Sequence, residues 1–158
     1  CQGDTSMAPN RRDLIQMTEE EVAVFIEEQK NLQVACLDLD GSPHLSTLWF
    51  AVIDGKLVFE TYTTSQKIVN LRRDPRITVL LEDGLEYNLL RGVMIKGTAT
   101  LVDDGDGLHR IARAIVARNQ PDLPPDLLDA AAAQLALKRT GVVVEPEKVI
   151  SWDHTRLG

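Results

Sequence analysis

Thr63-Thr64-Ser65-Gln66-Lys67-Ile68-Val69-Asn70-Leu71-Arg72-Arg73-Asp74-Pro75-Arg76 joins two runs of strand-forming residues, Lys56 to Tyr62 before it and Arg76 to Glu82 after it. Ser65 is placed to cap a short helix, Gln66 to Arg73. Asp74-Pro75 ends that helix, because a residue before proline is driven out of the helical region. Two threonine hydroxyls, the Ser65 hydroxyl, unpaired opening amides and the Lys67 ammonium then converge on one point, which is the donor set a phosphate needs. A capped helix with solvated cations is the other reading of the same spacing, and the pattern alone leaves both open.

Toward the N-terminus, Asp54-Gly55 and Asp40-Gly41 are hairpin signals separating Lys56 to Tyr62, Pro43 to Ile53 and Leu32 to Leu39, so these three strands form a β-meander. Thr18-Glu19-Glu20-Glu21 is a capping box opening a helix whose inner stripe is Val22, Phe25, Ile26 and Gln29, and which stops near Lys30-Asn31. Residues 1–17 are expected to be a non-native leader, ending ahead of Met7, and an N-terminal arm without clear period. Residues 18–158 are expected to form a single domain.

Toward the C-terminus, Asn88 to Val102 reads as a long, bent strand with Gly92 and Gly97 as bulge or bend positions. Leu108 to Arg118 and Asp126 to Arg139 read as helices separated by Asp122-Leu123-Pro124-Pro125, and Val142 to Glu145 with Val149 to Trp152 as a final strand or strand pair. The class is mainly β with helical inserts (α+β). Antiparallel strands in this number suggest a closed or partly closed barrel, since closure removes exposed edges.

The net charge of -7 opposes a general nucleic-acid or anionic-membrane binder, since the summed field repels phosphates. No apolar run approaches the roughly 20 residues of a membrane span, and a cytoplasmic protein is the expectation. Cys36 lies in an apolar run and reads as a buried core thiol. His44, His109 and His154 are scattered without metal-ligand spacing, no Gly-x-Ser-x-Gly elbow occurs, and no catalytic dyad is evident. We therefore assign no metal ligand and no catalytic side chain, a pattern that suits chemistry carried by a bound cofactor.

The chain resembles the pyridoxamine 5'-phosphate oxidase-like split-barrel enzymes, which use flavins and deazaflavins. The likeness runs over roughly residues 18–157. It is carried by Pro43-His44-Leu45-Ser46-Thr47-Leu48-Trp49-Phe50, by the Ser65 to Arg76 motif, by Gly92 to Leu101 and by Ser151-Trp152-Asp153-His154. It is nearest the actinobacterial branch that binds coenzyme F420.

The resemblance implies a split β-barrel homodimer. It points to Thr63, Thr64, Ser65, Gln66 and Lys67 for the cofactor's phosphate and tail, and to Ser46, Thr47 and Trp49 for its ring. It also implies Arg72, with Arg73 and Arg76, as a cationic lane for a carboxylate-rich tail. The loop Glu86 to Arg91, with Arg91 itself, and Trp152-Asp153-His154 are implied to reach a neighbouring subunit's cofactor. Flavin mononucleotide users in this family carry a further arginine shortly before the lysine, where this chain has Thr63 to Gln66. The implied activity is hydride transfer from reduced deazaflavin to an electron-poor small molecule such as an enone, quinone or tetrapyrrole. An enzyme using flavin mononucleotide and a non-catalytic carrier of deazaflavin or haem are the alternatives.

Overall fold

The computed structural model describes residues 10–157. After a short helix α1 (Arg11–Ile15), helix α2 (Glu19–Glu28) opens on the expected capping box: the Glu21 amide donates to the Thr18 hydroxyl and the Thr18 amide to the Glu21 carboxylate, both at 3.1 Å. Phe25 is buried, with Val22 and Ile26 packed against the same core. The arm is more ordered than its sequence suggests, since Ile15 and Met17 are buried and the Met17 amide donates to the Ser151 hydroxyl at 2.9 Å. The expected leader ahead of Met7 lies outside the described residues.

Seven strands follow: β1 (Asn31–Leu37), β2 (Pro43–Trp49), β3 (Ala51–Ile53), β4 (Lys56–Tyr62), β5 (Arg76–Asp83), β6 (Arg91–Val102) and β7 (Arg139–Asp153). They form one antiparallel sheet in the order β2-β1-β5-β6-β7-β4-β3. The run Pro43 to Ile53 is thus not one strand. It breaks at Phe50, and its halves become the two opposite edges of the sheet. Because one residue joins those edges, the sheet must curl until they meet, which makes a split barrel.

The interior is filled by alternate residues, among them Leu32, Val34, Phe59, Val79, Leu81, Val93 and Val142, together with Phe50 and with Phe25 from α2. Helix α3 (Gln66–Arg73) leaves from the end of β4. Helices α4 (Gly105–Asn119) and α5 (Pro125–Ala136) leave after β6, and Ile111 and Ile115 of α4 cover Ala51 and Val58 in a second, smaller cluster.

The strand expected from Asn88 starts at Arg91, behind a 3-10 turn over Tyr87–Leu89. The two short C-terminal strands are one strand, β7, since the whole of β6 lies alongside as a template. Gly97 is a bulge, with the register shifting between Lys96 and Gly97. Gly92 is not one. It pairs regularly with Trp152, and a side chain there would fall on the Trp152 ring. Among the described residues no helix is long and apolar enough to cross a membrane.

Candidate cofactor-binding site

The phosphate motif folds as its local chemistry dictates. Ser65 is the N-cap of α3, its hydroxyl accepting from the Ile68 amide at 3.4 Å and its carbonyl from the Val69 amide at 3.1 Å. The Gln66 and Lys67 amides have no acceptor among the described residues and belong to the positive end of the helix. Lys67 is half-buried. Among the described residues no carboxylate is within ion-pair distance of its ammonium.

The neighbouring arginines are engaged within their own chain. Arg72 donates to the Asp103 carboxylate through Nη1 at 3.1 Å and through Nη2, Arg73 donates to the Leu37 carbonyl, and Arg76 pairs with Asp74 at 2.7 Å. The Arg72 hydrogen bonds hold the Asp103 carboxyl below the usual range, with the Thr140 hydroxyl adding to the effect against partial burial. Thr140 donates to Asp103 at 2.9 Å and shares a hydroxyl contact of 2.9 Å with Thr63. Thr63 is therefore part of a polar chain, Thr63-Thr140-Asp103-Arg72, that ties the β4–α3 corner to β7 and to the loop after β6.

Behind the corner lies a residue that the sequence did not single out. Asn70 is fully buried, and its amide group donates to Asp38 at 2.9 Å and to the Cys36 sulfur at 3.6 Å while accepting from Gln66 at 2.8 Å. Burial pushes the Cys36 thiol up, opposed by the Asn70 contact, so Cys36 stays a core thiol as expected. Gln66 thereby points back onto its own helix.

The β2 residues divide by strand alternation. Ser46 faces the same side as His44 and Leu48, and neither the Ser46 hydroxyl nor the buried His44 Nδ1 has a partner among the described residues. Thr47 and Trp49 face the other way. Trp49, 52% exposed, lines a cleft of about 570 Å³ with Tyr62, Val116, Leu135, Leu137 and Arg139. The Arg139 guanidinium lies 3.9 Å from the Tyr62 ring centroid and pairs with Glu60 at 2.8 Å. Since Tyr62 immediately precedes Thr63, this cleft adjoins the phosphate motif.

Two predicted residues lie elsewhere. The start of β7 pairs with Tyr62 and its end with Gly92, so Trp152 stands at the opposite end of a 15-residue strand from the Thr63 corner. Arg91 is held by Asp83 at 2.6 Å and Glu28 at 3.3 Å, over the Phe25 ring. Within one chain neither meets Lys67. Asn70, Thr140 and Arg139 escaped the sequence reading because their partners come from strand register and not from local spacing.

Comparison with known proteins agrees with this architecture. A conserved hypothetical protein, Rv2991, from Mycobacterium tuberculosis is similar at 40% identity, with 95% of this chain and 93% of that one covered and a TM-score of 0.89. The haem storage protein HutZ from Vibrio cholerae (18% identity, 84% and 94% covered, TM-score 0.66) and an F420 reductase (20% identity, 90% and 98% covered, TM-score 0.60) share the fold. No protein of curated function matches. The pyridoxamine 5'-phosphate oxidase family model matches residues 18–153, from the cap of α2 to the last residue of β7, and the chain belongs to that family.

Proposed function

We propose that this protein binds coenzyme F420 and acts as an oxidoreductase toward an electron-poor small organic acceptor. The observation that carries this reading is Lys67: a half-buried ammonium on the first turn of α3, unpaired among the described residues, beside two unpaired helix amides, in a chain that pairs Arg72, Arg76 and Arg91 with carboxylates. Such a site favours a phosphate monoester or diester. When bound, the deazaflavin supplies the hydride. The chain's own part is to grip and to shield: Thr64, Ser65 and Lys67 hold the phosphate, and Thr63 fixes the corner. Trp49 and Tyr62 wall the adjoining cleft against water.

A homodimer belongs to the same reading. The outward row of β2 leaves Leu45 69% and Trp49 52% exposed, an apolar strip suited to a second copy. Since Trp152 and Arg91 cannot reach the Lys67 corner of their own chain, they would serve the site only from a partner subunit. The acceptor, a conjugated enone, quinone or tetrapyrrole, would enter at that boundary, and neither nucleic acid nor membrane takes part.

The test is a paired titration of the purified protein with oxidised F420 and with flavin mononucleotide, read by fluorescence quenching. F420 is expected to bind with micromolar affinity and flavin mononucleotide at least tenfold more weakly. Lys67→Ala is expected to weaken F420 binding by more than tenfold, about 1.4 kcal/mol. An unchanged dissociation constant would remove Lys67 from the site. Preference for flavin mononucleotide would move the protein to the oxidase-like alternative, and binding without turnover across an acceptor panel would make it a carrier.

A further inference from the structure

A second cleft, of about 560 Å³, lies at the far end of β6 and β7 and shares no lining residue with the cleft at Trp49. Its walls are aromatic. Trp152 packs over Gly92, the residue whose missing side chain leaves room for the indole, and Tyr87, 62% exposed, meets His154 edge to face with ring centroids 4.7 Å apart. His154 is fixed: its Nδ1 stands 2.7 Å from the Tyr87 carbonyl, and because a carbonyl only accepts, Nδ1 carries the proton and Nε2 is left for another partner. The His154 amide donates to the Leu90 carbonyl at 2.8 Å, which locks the 3-10 turn of Tyr87 to the chain end. Met94 forms an apolar floor.

The remaining wall is cationic. Arg11 and Arg12, from α1, line the cleft, and the Arg11 guanidinium stands 5.4 Å from the Tyr87 ring centroid. Neither pairs with a carboxylate of the described residues. In a chain of net charge -7, where Arg72, Arg76, Arg91, Arg110, Arg113 and Arg139 all pair with acidic residues, two guanidinia unpaired among the described residues and beside aromatic walls mark a place for an external anion. The volume falls within the usual range for a small-molecule site.

We infer that this cleft binds a planar aromatic carboxylate, its ring between Trp152 and Tyr87 and its carboxylate on Arg11 and Arg12. The binding itself is argued from the cleft's own residues, Trp152 among them, which the homodimer reading also brings to the boundary where the acceptor enters. What rests on that reading is the consequence that the electron acceptor would be a conjugated molecule bearing a carboxylate.

The experiment uses the full chain without coenzyme. In Trp49→Phe, Trp152 is the sole tryptophan. Naphthalene-2,6-dicarboxylate and its neutral diamide, planar molecules of equal size, are titrated by calorimetry and by Trp152 quenching. The dicarboxylate is expected to bind at least tenfold more tightly and to quench Trp152, and the preference is expected to vanish in Arg11→Ala/Arg12→Ala and to persist in Arg11→Lys/Arg12→Lys. Equal affinity for the two probes, or a dicarboxylate affinity untouched by the double alanine variant, overturns the inference. As no coenzyme is present, failure here is separable from failure of F420 to bind: each result stands without the other.

Discussion

Gly92 and Trp152 show how one missing side chain sets a larger one. A methyl group at position 92 would coincide with carbons of the indole, so Gly92→Ala must displace the ring or the strand. A cost of about 1–3 kcal/mol is expected from overpacking, measured by urea unfolding, and it should shrink when Trp152→Ala is already present. Equal costs in both backgrounds would show that Gly92 serves the backbone and not the indole. Asp74 offers a second residue-scale prediction. The Arg76 side chain and amide hold its carboxyl down to about 2. A depressed acid contributes stability above its unfolded pKa of roughly 3.9 and loses it as pH falls through the folded value. Carboxyl-carbon NMR should therefore show Asp74 titrating near 2, and Arg76→Ala should return it toward the ordinary range. The pair is solvent-exposed, so salt should weaken the shift.

Helix α3 is the element on which the candidate site depends, and it is short enough that its own hydrogen bonds do not hold it. Ile68 and Leu71 bury its apolar side, while Asn70 links it to β1 through Asp38 and Cys36. Asn70→Ala should cost about 1–3 kcal/mol in chemical denaturation, because it cuts back a fully buried side chain and removes the amide from which the partly buried Asp38 carboxylate accepts. The helix start should shift with it. We therefore expect weaker F420 binding in Asn70→Ala even though Asn70 lies behind the cofactor-facing residues. An unchanged affinity would mean that Ile68 and Leu71 alone seat the helix.

For the whole molecule the decisive position is Phe50, the residue joining the two edges of the sheet. It is fully buried, and the Arg118 guanidinium lies 4.4 Å from its ring centroid. Arg118 in turn donates through Nη2 to the carbonyls of Ile26, Glu27 and Gln29, so the barrel seam, α4 and the end of α2 meet at this ring. Phe50→Ala is expected to cost about 3–5 kcal/mol, read as a lowered urea midpoint, because it opens a cavity where three elements converge. A loss below 1 kcal/mol would show that the seam closes without it.

Local chemistry alone determined much of this protein. The Thr18 capping box, the Ser65 cap, the stop at Asp74-Pro75 and the Asp-Gly turns all depend on neighbours within a few residues, so each could be read from the chain and stands where expected. The donors around Lys67 were legible for the same reason. Tertiary structure alone decided the break at Phe50, the single long β7, the commitment of Arg72 to Asp103 and of Arg91 to Asp83, and the separation of Trp152 from the Lys67 corner. These follow from which strands pair and in what register. Sheet pairing joins residues far apart in sequence, and a strand's alternation tells which residues share a face without telling which other strand lies beside them.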